Sequence, residues 1–553
     1  MLGLGFEPAK LESAFALQTH CALTPMSTWK HGYYADSGYT YGFYPETMPS
    51  RLFWAALLQG HQCARSGFRY LDAGCGQGLN LILAAAAHPD SSFVGIDFLP
   101  EHVAHANRLA ERCGLRNVQF IEGDFVELAR APQSHPLLCE PFDFAVCHGI
   151  STWIALPVKS ALFSLIGQVL KPGGLFYNSY NTYPGWLAAA PFQHLVLLEQ
   201  RSQTGALALK AAQDHMEQLK QHSGGLFKLL PTLEQRLESM KTLDPAYLVQ
   251  EYNNQHWAPV FVSQMMDDLG RVKLSYLGSA TLPEAFDNVL PKAVREHLIK
   301  QQTQTVREQL RDYALNQSFR RDLYVKGMNK PWPQAHNALL RECRFVCNPL
   351  TARPAELDPF KIKGGGLEFN GEAVFYHGLL EQLAARPEGA SVQDLISAQT
   401  EEKYRGSVVQ AMSMMLHGGW VLPLQPAPKG KGADKAAARA AADEQRAVGA
   451  RVNAALAAAA AEGAPYRYAS LPRTGLAMNC SETDMLLLHA HHSGVAPEQW
   501  PQALSASLKA LNRNFLKDGK PVSDEAEYKT MLHQTVEQFS QKRLPLLRQL
   551  GGV

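Results

Sequence analysis

A glycine-rich turn after a short apolar run carries the strongest chemical signal in the sequence. The run YLDAGCGQG occupies residues 70–78. It places one acid and four small residues at a spacing that can hold a ligand: Asp72, Gly74, Cys75, Gly76 and Gly78. Small residues let a backbone approach a bulky ligand closely. Because position 79 is Leu79 and not the glycine of a dinucleotide-binding turn, the pattern indicates a cofactor without a pyrophosphate.

Two further acids follow apolar runs that read as neighbouring strands. Asp97 ends the run SFVGID, where its carboxylate could accept hydrogen bonds from both hydroxyls of a ribose. Asp124 ends the run VQFIEGD, where it could accept a hydrogen bond from an adenine amino group. The aromatic residues that follow them, Phe98 and Phe125, are assigned to the same site. Acids at three successive strand ends suit a sulfonium-bearing nucleoside, so the sequence predicts S-adenosylmethionine as the cofactor.

Each of these features also has a simpler interpretation. A lone Gly-x-Gly-x-Gly can be only a turn, Asp97 can cap the next helix, and Asp124 can terminate a strand. However, the carboxyl ends of parallel strands meet at one edge of a sheet, and open α/β sheets bind ligands at that edge. The three features in register therefore favour one cofactor site over three unrelated turns.

The methyl acceptor is expected beside the fourth and fifth predicted strands, FDFAVCHG and GLFYNSYN. The candidates for catalysis are His148, Trp153, Asn181 and Tyr183. His148, also assigned to cofactor binding, could act as a general base or could bond to backbone and shape the pocket. The chain has no Asn-Pro-Pro-aromatic tetrapeptide, which argues against adenine and glutamine amides as acceptors. Cys147 is followed by His148 and not preceded by proline, which argues against cytosine carbon-5 chemistry.

The elements that must position these residues form an α/β fold. Between residues 68 and 330, short β-rich runs alternate with amphipathic helical runs, which predicts a doubly wound, mostly parallel seven-stranded sheet. A helical insertion is expected at about residues 186–250, and SFRRDLYVK, from Ser318, is expected to be the last strand, at the edge. The predicted organisation is an N-terminal cap, the α/β domain, a winged-helix-like regulatory domain, an Ala-rich linker and a helical domain: 1–67, 68–330, 340–425, 426–463 and 464–553. The Ala-rich stretch is either a helix or a mobile connector.

Composition limits the classes of partner. The net charge of +1 over 553 residues argues against nucleic acid, and the nine scattered cysteines favour a reducing cytoplasm. No secretory leader and no apolar run of membrane-spanning length is evident, so we expect no membrane association. Neither the pair Cys343 and Cys347 nor the pair His102 and His105 has further ligands nearby in sequence, so we expect no metal site.

Two longer runs resemble a known family. FYNSYNTYPGW, at residues 176–186, and CHGISTW are similar to bacterial methyltransferases that carry a methyltransferase regulatory domain. The similarity extends to YYADSGYTYGFYPETMP, NQSFRRDLYV, YRYASLPRTG and RLPLLRQLG. It implies a Rossmann-like class I fold and relatives such as the rickettsial protein-lysine methyltransferases, which act on an outer-membrane surface protein.

The resemblance also implies how an acceptor amine reaches the cofactor. In such relatives the tyrosine-rich N-terminal strip and an insertion near the fifth strand cover the cofactor and shape a channel for the target amine. On this chain the corresponding channel residues are Tyr34, Tyr39, Tyr44, Trp153, Tyr180 and Tyr183. These tyrosines can equally be a packed N-terminal cap.

The sequence therefore predicts a cytoplasmic methyltransferase that modifies a protein side-chain amine, specifically lysine. The lysine must arrive neutral, which a desolvating aromatic channel favours, and aromatic faces could hold the methylammonium product. An alternative is a small-molecule O- or N-methyltransferase of secondary metabolism with His148 as its base. A second alternative is a cofactor-binding scaffold that recruits partners through its C-terminal half.

Overall fold

One open sheet organises the larger part of the chain. The computed structural model describes residues 31, 41–222, 225–364, 366–426, 433–517 and 519–553. Seven strands form the sheet: β1 (Arg69–Ala73), β2 (Ser92–Asp97), β3 (Val118–Glu122), β4 (Phe142–Cys147), β5 (Leu170–Asn181), β6 (Ser275–Ser279) and β7 (Phe319–Val325). Their order is β3-β2-β1-β4-β5-β7-β6, and β1 to β5 pair in parallel. The predicted doubly wound, mostly parallel sheet of seven strands is confirmed.

Alternating side chains of the strands supply two apolar cores, one on each face of the sheet. Tyr70 of β1 packs in one core with Phe144 of β4, whereas Leu71 packs in the other with Ala145. This alternation follows from the pleat, which sends successive side chains to opposite faces. Both faces of the sheet are therefore covered, as parallel strands require.

The position of β7 corrects one prediction. The strand from Ser318 was expected at the edge of the sheet, but β7 lies between β5 and β6 and pairs antiparallel with both. Its charged residues suggested exposure, yet Arg320 and Asp322 are 1% and 0% exposed. Arg320 forms ion pairs with Asp322, Glu308 and Asp312. The charges of Arg320 and Asp322 are thus paired in the interior and do not face water.

Five helices precede the insertion. They are α1 (Pro49–Leu58), α2 (Leu79–Ala87), α3 (Pro100–Arg112), α4 (Phe125–Leu128) and α5 (Leu156–Val169). Helix α3 begins at Pro100, where a missing backbone N–H costs nothing. Helix α2 has the sequence LNLILAAAA, and every one of its residues is buried. A helix that is apolar on all sides needs cover on all sides, so α2 must be packed by more than the sheet.

Residues 189–255 belong to a separate helical unit. The helices of residues 189–255 are α6 (Ala190–Glu199), α7 (Gly205–Gln221), α8 (Gly225–Leu229), α9 (Pro231–Met240) and α10 (Pro245–Tyr252). Phe192 and Val196 of α6 and Ala208 and Ala212 of α7 are fully buried. The predicted helical insertion is confirmed.

The larger unit, residues 38–188 and 256–553, resumes with the helices that accompany β6 and β7. These helices are α11 (Val262–Gly270), α12 (Lys292–Ile299) and α13 (Gln304–Leu315). Helix α13 is capped by the Thr303 hydroxyl, which accepts from the Val306 N–H, and it ends at Asn316 in the left-handed conformation. This helix supplies the acids that surround Arg320.

The C-terminal half of the larger unit begins with a small mixed region. Its elements are α14 (Pro333–Glu342), β8 (Arg344–Cys347), β9 (Phe360–Gly364), β10 (Leu367–Gly371), α15 (Ala373–Ala384), β11 (Ala390–Ser391), α16 (Val392–Ser397), α17 (Glu402–Arg405), α18 (Val408–His417) and β12 (Val421–Leu424). Strands β11, β8 and β12 form one sheet, and β9 and β10 form a hairpin. Strand β8 precedes the helices α15 to α18 and β12 follows them, and the winged-helix-like character of this region stays a prediction.

The remaining elements are mostly helical. They are α19 (Ala433–Ala461), β13 (Tyr468–Leu471), β14 (Leu476–Asn479), α20 (Glu482–His492), α21 (Trp500–Ala510), β15 (Leu516–Lys517), β16 (Lys520–Pro521), α22 (Glu525–Gln538) and α23 (Leu544–Leu550). Within the ranges that the structure describes, no helix is both long and apolar enough to cross a bilayer.

Helix α19 corrects the interpretation of the Ala-rich stretch as a linker. Val452 and Leu456 of α19 are fully buried and lie in the same apolar core as Leu81 and Ile82 of α2. Helix α19 packs against α2 and α20, and β13 and β14 also contact α2. The stretch is therefore not a mobile connector over its second half, because it supplies the cover that the apolar helix α2 needs.

Replacing Arg320 tests the buried charge network of β7. Arg320→Met leaves Glu308, Asp312 and Asp322 facing one another without their shared cation, which should destabilise the fold by about 3–5 kcal/mol. Thermal unfolding at neutral pH should show this destabilisation. The destabilisation should become smaller as the pH falls, because the carboxyl groups then take up protons. The control is Arg271→Met, because the Arg271 side chain is 76% exposed and should be nearly neutral. Equal melting temperatures for the two variants would contradict this account of β7.

Candidate cofactor and acceptor site

The glycine turn adopts a conformation that only glycine tolerates well. Gly74, Gly76 and Gly78 have φ values of 89°, 53° and 80°. A Cβ atom on Gly74 would lie 2.6 Å from Ile150 Cδ1, and one on Gly78 would lie 2.5 Å from Ala106 Cβ. The glycines are thus required by backbone conformation and by close packing on both sides of the turn.

Asp97 ties the end of β2 to this turn. One carboxylate oxygen accepts a hydrogen bond of 2.9 Å from the Gly76 N–H. The other accepts from the Leu99 N–H at 3.0 Å and lies 3.2 Å from Nδ1 of His102. Asp97 therefore bonds locally to Leu99 without capping α3, which begins at Pro100 and has no side-chain cap, and its carboxylate also orients the glycine turn.

The structure brings Asp72 and Asp97 together in the interior at the carboxyl edge of the sheet. Both side chains are buried, at 5% and 7% exposure. Burial, together with the negative charge of Asp97, raises the pKa of Asp72 to about 7. A carboxyl group in this state gains from a nearby cation, which would favour its ionised form.

Asp124 has a local role that its position in sequence also allowed. Its Oδ1 accepts from the Val126 N–H at 2.7 Å and so caps α4. The side chain is half-buried, as are Phe98 and Phe125. A contact of Asp124 with adenine stays a prediction.

His148 lies in a closed polar and aromatic environment after β4. Its Nδ1 is 2.9 Å from the Tyr177 hydroxyl and 3.2 Å from the Ser179 hydroxyl. The ring centroid of Tyr44 lies 4.1 Å from that of His148. Burial, and next the positive charge of Arg321, lower the pKa of His148 to about 4. His148 is therefore neutral at physiological pH.

The segment that carries Tyr44 is bonded to the sheet and to α2. The Tyr44 N–H donates to Asn80 Oδ1 at 2.9 Å, and the Asn80 amide donates to the Thr47 hydroxyl at 3.0 Å. The Tyr70 hydroxyl donates to the Thr47 carbonyl at 2.7 Å. These bonds hold the Tyr44 ring over the carboxyl edge of the sheet. The predicted channel residues Tyr34 and Tyr39 lie outside the described residues.

Three more predicted site residues lie in the segments after β4 and β5. Trp153 is 9% exposed, and its ring passes within 3.9 Å of the position that a Cβ on Gly149 would take. Asn181 is buried, and its N–H donates to the Thr152 hydroxyl at 2.8 Å. Tyr183 is half-buried, and burial raises its pKa. Their catalytic and channel roles stay predictions.

Tyr180 does not belong to this group. Its ring is fully buried in the core that also holds Phe176 and Tyr324, on the face of β5 opposite Tyr177. Its hydroxyl donates to Asp322 at 2.6 Å within the buried network of β7. The assignment of Tyr180 to the substrate channel was wrong, because successive residues of a strand point to opposite faces.

The sequence analysis missed the charged residues next to His148. Glu46 lies 3.9 Å from Nε of Arg321. Burial works against ionisation of Glu46, but Arg321 and Arg51 lower the pKa of Glu46 below its usual value. Glu46 stands in the run YPETMP, which we had considered only for its tyrosines. Arg321 lowers the pKa of His148 more than Glu46 raises it, so the net effect of these two charges disfavours a proton on His148.

The described part of the chain contains no group of three His, Cys, Asp or Glu side chains that could hold a metal ion. A Rossmann-like sheet of this order, with such a turn at its carboxyl edge, defines a class I methyltransferase.

Comparison with protein families identifies the class in sequence terms. A family described as "Methyltransferase domain" matches residues 64–230, and one described as "Predicted methyltransferase regulatory domain" matches residues 244–326. "Uncharacterized protein sll1526" of Synechocystis sp. is 31% identical over 537 residues, which cover 95% of this chain and 99% of that protein. The chain belongs to this family of S-adenosylmethionine-dependent methyltransferases with a methyltransferase regulatory domain.

Two rickettsial proteins are also similar. "Uncharacterized protein RP789" of Rickettsia prowazekii is 25% identical over 334 residues, which cover 59% of this chain and 58% of that protein. The solved structure of PKMT2 from Rickettsia typhi in complex with AdoHcy has a TM-score of 0.67 and 16% identity, and it covers 93% of this chain and 100% of its own. This likeness shows a shared fold over nearly the whole chain.

The family match also relocates the regulatory domain. We had given that name to residues 340–425, whereas the match covers residues 244–326. Residues 256–326 contain α11 to α13 together with β6 and all of β7. This part of the regulatory domain therefore completes the catalytic sheet.

Cofactor binding should depend on the ionisation of Asp72. S-adenosylmethionine carries sulfonium and ammonium groups, so its affinity should rise between about pH 6 and about pH 8 as Asp72 loses its proton. Asp72→Asn should bind about tenfold more weakly at the upper end of this range and lose the pH dependence. Calorimetric titration over this range measures both effects. Unchanged pH dependence in Asp72→Asn would separate Asp72 from the cofactor.

Proposed function

We propose that the chain transfers the methyl group of S-adenosylmethionine to the side-chain amine of a lysine in a protein. The observation that carries this proposal is the environment of His148, which disfavours a positive charge. A lysine attacks only as the neutral amine, so a site that disfavours its ammonium form prepares it for reaction. The proposed catalytic and channel residues are Tyr44, His148, Trp153, Asn181 and Tyr183.

The electrostatics near His148 favour an amine over a hydroxyl acceptor. A hydroxyl needs a general base whose pKa lies near the working pH. With a pKa of about 4, His148 is a weak base at neutral pH. An amine that loses its proton on entering the site needs no such base, because the displacement at the sulfonium then requires only alignment and exclusion of water.

The charges of Glu46, Arg51 and Arg321 support the same conclusion. Glu46 alone would stabilise an ammonium, but its negative charge is opposed by the two arginines. Arg321 lowers the pKa of His148, and it should act in the same direction on an amine bound beside that ring. The Tyr44 ring, 4.1 Å from His148, could face the methylammonium product.

The similarity to a solved structure over nearly the whole chain supports a protein substrate, in addition to the site itself. The Rickettsia typhi structure, named PKMT2, resembles this chain over 93% of its length, including the C-terminal regions. Such regions outside the sheet offer surface that a free metabolite would not need. The proposed substrate class therefore rests on the electrostatics near His148 and on this similarity.

Labelling separates the candidate functions. The purified chain is incubated with methyl-tritiated S-adenosylmethionine and bacterial lysate, and label in protein is separated from label in small molecules. Acid hydrolysis of labelled protein should yield methylated lysine. If label appears only in small molecules, the chain is a small-molecule methyltransferase and the proposal is wrong. If no label is transferred although the cofactor still binds, the result favours a cofactor-binding scaffold.

Removing the charge of Arg321 tests how the amine becomes neutral. In Arg321→Gln the bound amine should keep its proton up to a higher pH, so the pH at which kcat rises should increase by about one unit. At neutral pH kcat should fall severalfold and should recover at alkaline pH. The control Arg271→Gln changes an exposed arginine and should leave the profile in place. A loss of kcat that is equal at all pH values would contradict the proposed role of Arg321.

A further inference from the structure

The run YRYASLPRTG, in the C-terminal part of the chain, contacts the helix that packs on the glycine turn. It begins with Tyr466, just before β13. The Tyr466 hydroxyl lies 2.8 Å from Nε2 of His105 in α3. The residue after His105 is Ala106, against which Gly78 of the glycine turn packs. A C-terminal side chain therefore reaches the helix that borders the turn.

The other ring nitrogen of His105 bonds to the glycine turn itself. Nδ1 lies 2.8 Å from the carbonyl oxygen of Gln77. Because a carbonyl oxygen only accepts, Nδ1 carries the proton, and the neutral ring accepts from the Tyr466 hydroxyl at Nε2. Burial lowers the pKa of His105 below its usual value, and the bond to Gln77 offsets this only in part. His105 is therefore neutral at physiological pH, with both nitrogens hydrogen-bonded.

Two further contacts hold the His105 ring and its helix in place. The ring centroid of Tyr41 lies 5.1 Å from that of His105 and 5.6 Å from that of Tyr466. At the end of α3, the Arg112 guanidinium donates two hydrogen bonds, of 2.7 and 2.6 Å, to the carboxylate of Glu462. The C-terminal part of the chain therefore contacts α3 at its middle and at its end.

The bond from His105 fixes one peptide plane of the glycine turn. In the peptide that joins Gln77 to Gly78, the carbonyl accepts from His105 and the N–H donates to the Cys75 carbonyl at 3.1 Å. Gln77 stands between Gly76 and Gly78, and glycines oppose rotation of the backbone only weakly. The orientation of this peptide therefore depends on its hydrogen bonds, one of which comes from His105.

We propose that Tyr466 is a positioning residue for the cofactor, and that it acts through His105 to hold the glycine turn in the conformation that binds S-adenosylmethionine. A turn that is already ordered loses less conformational freedom on binding, so its affinity for the cofactor is higher. The inference rests on the glycine turn as the cofactor site. It does not depend on which acceptor the enzyme methylates.

Calorimetric titration of the full chain with S-adenosylhomocysteine tests the proposal. Tyr466→Phe keeps the aromatic ring and removes the hydroxyl, so the Kd should rise about fivefold. The control Tyr468→Phe removes a hydroxyl from β13 and leaves the bond between Tyr466 and His105 in place, so its Kd should not change. A lower melting temperature of Tyr466→Phe with an unchanged Kd would mean a purely structural role. That result, or an equal rise of Kd in both variants, would overturn the proposal.

Substitutions at His105 show whether Tyr466 acts through this ring. His105→Ala should weaken binding more than Tyr466→Phe does, and adding Tyr466→Phe to it should have no further effect. Asparagine places an N–H donor near the position of Nδ1, so His105→Asn should bind more tightly than His105→Ala. Additive effects of His105→Ala and Tyr466→Phe would show that the two residues act independently, which would overturn the proposal.

A variant of the turn separates the role of Tyr466 from the location of the cofactor. Asp97→Asn changes the carboxylate that accepts from the Gly76 N–H, so it should raise the Kd as well. If Asp97→Asn binds weakly and Tyr466→Phe binds normally, the cofactor lies at the turn and Tyr466 has no role in binding it. If both bind normally, the cofactor lies elsewhere. Either result overturns the proposal.

Discussion

The hydrogen bond from the Gly76 N–H to the carboxylate of Asp97 joins the two features on which the cofactor side depends. It fixes a turn of three left-handed glycines against the end of β2, and it keeps the Asp97 carboxylate buried close to Asp72. The negative charge of Asp97 helps to raise the pKa of Asp72 to about 7. A cationic nucleoside relieves this repulsion, so the arrangement is completed by the cofactor.

The acceptor side follows the opposite electrostatic principle. Around His148, burial and the charge of Arg321, which outweighs that of Glu46, disfavour positive charge. The cofactor side can hold the cationic methyl donor, and the surroundings of His148 can keep an acceptor amine neutral. Tyr44 stands at the acceptor side because backbone and side-chain bonds tie its segment to α2 and β1.

The regions outside the sheet contribute to its stability and are not merely attached. Helix α2 is buried on every side, and α19, β13 and β14 cover it. On the other half of the sheet, β7 carries Arg320 into the interior, where acids from α13 and β7 surround it. The family match to residues 244–326 includes these acids, so the region of that match supplies part of the sheet and its buried charges.

The sequence by itself determined the parallel sheet, the glycine turn and the acids at the strand ends, because these depend on local spacing and on strand periodicity. It could not place β7, since three consecutive charged residues in a strand give no sign of their partners on α13. It also misassigned Tyr180, whose face of the strand depends on register. Glu46 and Arg321 lie far apart along the chain, and only the tertiary structure brings them together beside His148, because charge pairs between distant segments leave no local pattern.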